Sequence, residues 1–327
     1  MRTYLYEDGK GLTKDRSPEE LTTYIGKEGA YFWLDLNNAT PDEIKRVGEL
    51  FNFHPLAIED AITVQQRPRV DIYGNALFIV LRDLQLERLK KGLRALELDI
   101  FLGKNFIVTV HQEPVKCVED ALTKLNGSPE RFLGRGADFL AHTIIDLLVD
   151  DSLNILNWLD EEISELEEQI FENPDQHALI AIANLRKNIL YLQRILSPQL
   201  ELIRKLSGEW LPFIHKSLRI YFRDVYDNLA RINDIIYNYR EIVTTDMAIH
   251  QAMISNKLNE IMKTMAIIAT IILPPTLVAS IYGMNFSFFP ERDLLFGKYS
   301  YFWALGLMLA VGCGIYYFFK RRGWFGR

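Results

Sequence analysis

The fold of this chain is decided by residues 264–285, which read TMAIIATIILPPTLVASIYGMN. From Thr264 to Tyr282 the chain carries 19 residues without a formal charge, and a second uncharged run of 21 residues extends from Tyr299 to Phe319. An α-helix rises ~1.5 Å per residue, so each run is long enough to cross a hydrocarbon core of ~30 Å. The sequence therefore predicts two transmembrane helices near the C-terminus, with a polar tetrapeptide, Tyr282-Gly283-Met284-Asn285, at the end of the first.

The charges that flank the two runs predict their orientation. Lys257 and Lys263 precede the first run, and a basic cluster at residues 320–322 follows the second, whereas the charges of the connecting loop cancel. Positive charge is enriched on the cytosolic side of membranes, so both termini are expected in the cytosol and residues 286–298 outside. The first residues contain no apolar stretch typical of a signal peptide. We expect a multi-pass protein of the inner (plasma) membrane.

Composition excludes several classes of function. The 327 residues carry a net charge of −6, which disfavours nucleic acid as a partner and is compatible with cations. Cys117 and Cys313 are the only cysteines, and the second lies within an apolar run, so a cysteine-based metal cluster is excluded. Phosphate-binding loops and hydrolase motifs are absent from the sequence, and its six histidines do not pair at metal-ligand spacing. We therefore do not expect an enzyme.

Residues 1–137 have the pattern of a mixed α/β domain. Thr40-Pro41-Asp42-Glu43 is typical of a helix start, because a hydroxyl can cap the helix and acids favour the positive end of its dipole. A second short helix is expected to begin within residues 54–60. Predicted strands are apolar runs rich in aromatic and β-branched residues, at 30–36, 76–84, 96–102 and 105–110, the last two separated by a hairpin-like Gly103-Lys104.

Residues 138–262 have a helical pattern instead. An apolar stripe with spacings of three and four residues begins at Leu156 and stops before Asn173-Pro174-Asp175. A second stripe runs from Leu185 to Leu196, and the Ser197-Pro198 pair that follows predicts its end. Between Pro212 and Pro274 there is neither proline nor glycine. We therefore expect a long helix that continues directly into the first membrane span.

One face of that first span differs from the others. This face is found by counting upstream from Gly283 in steps of three and four residues. Its side chains are small or polar at the outer end of the span, and Leu273 and Met262 are its bulky apolar residues. Small residues allow close helix packing, so this pattern leaves packing and a pore wall both open. A pore would need several subunits around an axis, in which bulky apolar rings can gate by dewetting. The full stripe is Ser280, Thr276, Leu273, Ala269, Ala266, Met262 and Asn259.

Several motifs in order resemble the CorA-type divalent metal transporters, and the resemblance covers nearly the whole chain. The most specific is Gly283-Met284-Asn285 before a short loop and a last span. Phe289 stands where the loop motif of the family has methionine. The matching segments are 54–60 (HPLAIED), 66–70 (QRPRV), 221–227 (YFRDVYD), 255–263 (SNKLNEIMK), 282–286 (YGMNF) and 289–291 (FPE).

The resemblance implies an α+β fold: an N-terminal cytosolic α/β domain, a funnel of long helices and two C-terminal transmembrane helices, assembled as a homopentamer. The first spans would line the pore, with Gly283, Met284 and Asn285 as the selectivity filter and Glu291 in the external loop. Neutral amides suit Mg²⁺, which dehydrates reluctantly, because they accept hydrogen bonds from its bound waters. Gly283 would allow a tight turn. The alternative role for Asn285 is a helix C-cap.

Regulation is also implied by the resemblance. In the family, cytosolic Mg²⁺ binds between neighbouring soluble domains and holds the pore shut. Asp224 and Asp146 match ligand positions, and Glu87 or Asp83 is the candidate for a third ligand. Asn228 stands where some members have histidine, which disfavours a second ion at this interface. The alternative for each acid is a solvated surface group.

Together these features predict a homopentameric channel that imports Mg²⁺, with Co²⁺ and Ni²⁺ as further candidate ions. A zinc-transporting branch is the nearest alternative, although Met284 favours the magnesium branch. A membrane-anchored coiled-coil scaffold is the alternative outside transport. The expected segments are the α/β domain 1–137, the funnel helices 138–262, the first span 263–283, the external loop 284–298, the second span 299–319 and a basic cytosolic tail 320–327.

Overall fold

The structure is a computed structural model that describes residues 1–63, 66–87, 92–208, 210–284 and 299–324. These residues form two compact units, Met1–Met247 and Ala248–Arg327.

A seven-stranded mixed sheet organises the first unit. Its order is β2-β1-β3-β7-β6-β5-β4, and β3 and β7 run parallel whereas the other neighbours are antiparallel. The four predicted strands are confirmed as β3, β5, β6 and β7, with β5 and β6 longer than predicted. The strands are β1 (Arg2–Glu7), β2 (Gly11–Lys14), β3 (Ala30–Asn37), β4 (Arg69–Tyr73), β5 (Ala76–Glu87), β6 (Gly92–Leu102) and β7 (Phe106–His111).

Four short helices accompany the sheet. The predicted start at Thr40 is confirmed as a capping box: Glu43 N donates to Thr40 Oγ1 over 3.3 Å, and Thr40 N donates to Glu43 Oε2 over 2.8 Å. The rings of Phe32, Phe51 and Phe106 pack together with centroids 5.6 to 5.8 Å apart. The helices are α1 (Pro18–Thr22), α2 (Pro41–Leu50), α3 (Pro55–Ile62) and α4 (Lys116–Gly127), with single 3₁₀ turns at Pro129–Arg131, Leu133–Arg135 and Lys216–Leu218.

Three long helices follow, α5 (Ala137–Glu172), α6 (Gln176–Gly208) and α7 (Arg219–Gly283). The predicted apolar stripe of α5 is buried, and this helix ends before Asn173 as expected. The prediction that the next helix ends at Ser197-Pro198 was wrong, because α6 continues for ten residues beyond Pro198. Its buried face continues through Leu202 and Leu206, and Gln199 accepts a 3.0 Å hydrogen bond from Arg82 N on β5. These contacts outweigh the ~3 kcal/mol that an interior proline costs a helix.

The second unit contains the end of α7 and the last helix, α8 (Ser300–Arg321). Both helices are long and apolar enough to cross a membrane. Only 6% and 11% of their most apolar windows are buried within the protein. A core helix of a soluble domain would be mostly buried, so these apolar faces are suited to lipid or to other helices.

Candidate functional site

All seven residues of the predicted stripe on α7 are exposed. The exposed fraction reaches 60% at Met262 and 65% at Leu273. None of the seven is covered by the described residues of the second unit, although each was singled out from spacing alone. The stripe consists of Asn259, Met262, Ala266, Ala269, Leu273, Thr276 and Ser280.

The face of α7 that is covered lies on the other side of the helix. Ile267 is 6% exposed, and Ile271, Pro275 and Val278 are half-buried. Gly312 of α8 lies close to this face, since a Cβ built on it would be 3.9 Å from Pro275 Cγ. At ~100° per residue the covered face and the stripe are separated by roughly half a turn around α7. The single chain therefore leaves the stripe open to other molecules.

The hydroxyl groups of the stripe are oriented by their own helix. Thr276 Oγ1 donates to Ile272 O over 2.8 Å, and Ser280 Oγ donates to Thr276 O over 2.9 Å. A hydroxyl has one proton and two acceptor lone pairs, so each oxygen keeps acceptor capacity after this donation. These oxygens can accept hydrogen bonds from the water shell of a cation.

The predicted selectivity filter is described only in part. Gly283 is the last residue of α7, and Met284, 49% exposed, donates a 3.3 Å backbone hydrogen bond to Ile281 O. The tight turn expected at Gly283 stays a prediction, because the chain that would complete it lies outside the described residues. Asn285 and Glu291 lie outside the described residues.

Asp146 and Asp224, the two predicted regulatory acids, are brought close together by α5 and α7. Asp146 is half-buried and Asp224 is exposed. Burial raises the pKa of Asp146, and the neighbouring charge of Asp224 raises it further, whereas Lys124 lowers it. Asp150, one helical turn after Asp146, has a raised pKa for the same two reasons, burial first and then the charge of Asp146. Sequence reasoning missed Asp150, although its spacing of four residues was a signal.

Glu87 and Asp83, the two candidates for a third ligand, line a different surface. They lie on a groove of about 850 Å³ together with Lys116, Asp151 and Glu161. Their role in a site shared between subunits stays a prediction. In the part of the chain that the structure describes, no three His, Cys, Asp or Glu side chains converge to hold a metal ion. Mg²⁺ is often held by one or two carboxylates and several waters, so a magnesium site does not require three such groups.

Asp83 is an unusual carboxyl group because only 1% of it is exposed. Burial raises its pKa to about 6, and the charge of Asp151 acts in the same direction, while a 2.9 Å hydrogen bond from Gln85 Nε2 opposes the rise. The hydrogen bond from Gln85 therefore lowers the cost of ionising Asp83 but does not cancel it.

The raised pKa of Asp83 predicts a pH-dependent stability. Between pH ~4 and ~6 the folded protein holds a proton on Asp83 that the unfolded chain has released, so this group lowers stability as pH rises through that window. Asp83→Asn in chelator-treated protein should therefore raise the free energy of unfolding by about 2–3 kcal/mol near pH 7 and by little near pH 4. Thermal unfolding of the detergent-solubilised chain at both pH values measures this. An equal gain at both would show that packing, not charge, is responsible.

Residues 28–321 match the family described as CorA-like Mg²⁺ transporter protein, which is most of the chain. This chain belongs to the CorA-like Mg²⁺ transporter family. The resemblance inferred from the motifs is thereby confirmed, and the CorA-like family is a family of transporters rather than of enzymes.

Two curated CorA-like relatives show the range of the family. The chain is 33% identical over 293 residues to the cobalt/magnesium transport protein CorA of Thermotoga maritima, covering 89% of this chain and 83% of that protein. It is 26% identical over 300 residues to the zinc transport protein ZntB of Pectobacterium carotovorum, covering 89% of this chain and 87% of that protein. Membership of the CorA-like family therefore leaves the transported ion open.

A solved structure confirms the fold. The complete CorA magnesium transporter of Methanocaldococcus jannaschii superposes with a TM-score of 0.83 at 24% identity, covering 98% of both chains. The predicted CorA-like fold class is confirmed in its α/β domain, long helix and two C-terminal apolar helices.

Proposed function

We propose that this chain is a channel-type transporter that imports divalent cations, Mg²⁺ first, as a homopentamer in the plasma membrane with both termini in the cytosol. The observation that carries the proposal is the exposed stripe of α7, which lies away from the face near α8. Rings of this stripe around a five-fold axis would place Asn259, Thr276 and Ser280 along a polar path. Family membership supports divalent cations as the cargo.

The chemistry of the path suits an ion that keeps its water shell. The oxygens of Thr276 and Ser280 can accept hydrogen bonds from bound water, and a ring of Asn285 amides at the outer mouth would do the same. Leu273 and Met262 are the bulky apolar points at which the path can close by dewetting. Co²⁺ and Ni²⁺, which also hold water shells, are further candidate ions.

The membrane potential supplies the driving force in this proposal. Moving one charge through 100 mV corresponds to ~2.3 kcal/mol, so a divalent ion entering a negative cytosol gains roughly 4–5 kcal/mol. An inward gradient of this size needs no coupled reaction.

For regulation, we infer that cytosolic Mg²⁺ binds at Asp146 and Asp224 between neighbouring subunits and favours the closed pore. Carboxylates at an interface repel one another unless a cation lies between them, so loss of the ion would loosen the assembly. Within one subunit, burial raises the pKa of Asp146 and the charge of Asp224 adds to the rise, which supports such repulsion. Asp224 and the stripe belong to the same helix, α7.

Uptake into proteoliposomes tests the function. With an inside-negative potential, vesicles that contain the protein should accumulate Mg²⁺ faster than empty vesicles, and reversing the potential should abolish the difference. Equal rates in both kinds of vesicle would overturn transport and leave the membrane-anchored scaffold.

The similarity to ZntB gives zinc as the second candidate cargo. If the vesicles take up Zn²⁺ and excess Mg²⁺ does not reduce that uptake, zinc is favoured as the transported ion.

Asp224→Asn should remove feedback inhibition. In wild-type proteoliposomes, Mg²⁺ loaded inside should slow further uptake, and the variant should continue at about the rate seen with no internal Mg²⁺, since half of the bridging charge is gone. Asp227→Asn is the matched control, because Asp227 is also exposed and lies on the same helix. Uptake that stays sensitive to internal Mg²⁺ in Asp224→Asn would contradict the regulatory role.

A further inference from the structure

The groove that contains Asp83 is acidic and lies within one subunit. We call it the Asp83 groove; it occupies about 850 Å³ between the end of β5, the start of α4 and the middle of α5. Its described lining residues include five carboxylates and a single ammonium group, that of Lys116. Neither Asp146 nor Asp224 contributes to it, so it is distinct from the regulatory site proposed above.

One oxygen of Asp83 has no partner. Oδ2 accepts the 2.9 Å hydrogen bond from Gln85 Nε2, but Oδ1 is buried and has no hydrogen-bond partner among the described residues. A buried carboxylate oxygen without a donor or a cation is costly. The backbone N–H and the charge of Lys116 lower the pKa of Asp83 without giving Oδ1 a hydrogen-bond partner among the described residues, so this oxygen is left incompletely compensated.

Asp151, on α5, repeats the arrangement in the same groove. Its Oδ1 forms an ion pair with Lys116 Nζ, whereas its Oδ2 is buried and has no hydrogen-bond partner among the described residues. Lys116 is 58% exposed at its side chain, and among the described residues its ammonium forms an ion pair with Asp151 Oδ1. Two acids of the same groove therefore each keep one buried oxygen that nothing described satisfies, and Lys116 alone does not neutralise both.

We propose that the Asp83 groove binds a hydrated Mg²⁺ ion within each subunit, held by the unpartnered oxygens of Asp83 and Asp151. All the donors are oxygens, which hard divalent cations prefer, and two carboxylates with retained waters is a usual magnesium environment. Asn154, one turn after Asp151 on α5, and Glu161 also line the groove and carry oxygens that can accept hydrogen bonds from water. The bound ion would connect the end of β5 to α5 and satisfy both orphaned oxygens.

Direct binding of Mg²⁺ to the full-length, detergent-solubilised protein tests this site. Metal-free protein is equilibrated with MgCl₂ by dialysis, and bound magnesium is measured per chain in an Asp146→Asn/Asp224→Asn background that lacks the proposed regulatory site. About one ion per chain should remain bound in this background. Adding Asp83→Asn to this background should abolish binding of that ion, and adding Asp151→Asn should lower its affinity.

A matched control separates binding from general effects on the fold. Asp99 is also buried, with one oxygen that has no hydrogen-bond partner among the described residues and a pKa raised well above its ordinary value by burial, but it does not line the Asp83 groove. Asp99→Asn should leave the bound ion in place. Thermal unfolding supplies a second readout, because MgCl₂ should raise the melting temperature of the background protein and of Asp99→Asn but not of Asp83→Asn.

Two outcomes would overturn the proposal. One is the absence of any bound ion in the Asp146→Asn/Asp224→Asn background, and the other is bound magnesium that Asp83→Asn leaves unchanged. Neither outcome depends on transport, since binding is measured without a membrane potential. A failure of Mg²⁺ uptake in vesicles would leave this test intact.

Discussion

Asn285→Ala is expected to reduce Mg²⁺ uptake into proteoliposomes by about 100-fold. The substitution would remove a whole ring of amides from the proposed outer mouth. A single net hydrogen bond contributes ~0.5–1.5 kcal/mol, so two or three lost from the hydrated ion correspond to about 2.7 kcal/mol and to this factor in rate. Initial rates at a fixed inside-negative potential, with equal protein per vesicle, measure the effect.

Asn256→Ala is the matched control for this substitution. Asn256 has the same side chain as Asn285, lies on α7 and is exposed, but its position is off the stripe. It should transport at about the wild-type rate. A normal rate in Asn285→Ala would show that the amide caps α7 rather than selecting the ion, because loss of a cap lowers stability and not conduction.

Leu273→Ser is expected to act in the opposite direction and increase Mg²⁺ flux about tenfold. Leu273 is 65% exposed on the stripe and is its bulkiest apolar point near the middle of the span. A smaller, polar side chain would keep water in the constriction, and a barrier lower by ~1.4 kcal/mol gives a tenfold rate. The increase should be largest with Mg²⁺ loaded inside, when the wild-type pore is proposed to be closed.

Ile268→Ser controls for the polar substitution itself. Ile268 is 52% exposed on another face of α7, where we expect lipid or a neighbouring helix. This variant should leave the flux and its inhibition by internal Mg²⁺ unchanged. Equal increases in both variants would mean that a hydroxyl anywhere on α7 loosens the membrane helices, and the assignment of the stripe to a pore would fail.

Much of the fold was predictable because the signals were local. The two uncharged runs correspond to the end of α7 and to α8, and the absence of proline and glycine after Pro212 corresponds to the length of α7. Thr40 was predictable as a cap, since its partner Glu43 is three residues away. Pro198 was misleading for the opposite reason: the buried face of α6 and the bond from Arg82 to Gln199 come from residues far away in sequence.

Part of the candidate site was likewise predictable from local sequence, and part of it depended on contacts between distant residues. The spacing of the stripe could be read from the sequence, and so could Asp146 and Asp224 once the motifs were recognised. The burial of Asp83 and its pairing in one groove with Asp151, 68 positions later in the chain, could not. A carboxyl on a strand is solvated or buried according to what packs over it, and here α4 and α5 do so.

The sequence by itself determined that this chain has two C-terminal helices apolar enough to cross a membrane, an α/β domain, long helices and the motifs of the CorA-like family. Charge, apolar length and motif order are properties of neighbouring residues, so no tertiary contact is needed to recognise them. Only the tertiary structure decided which face of α7 lies away from α8 and which carboxylates lose their water. Exposure and pKa depend on contacts between residues distant in the chain. Those contacts left the stripe exposed, and they left Asp83 and Asp151 each with a buried oxygen that no described residue satisfies.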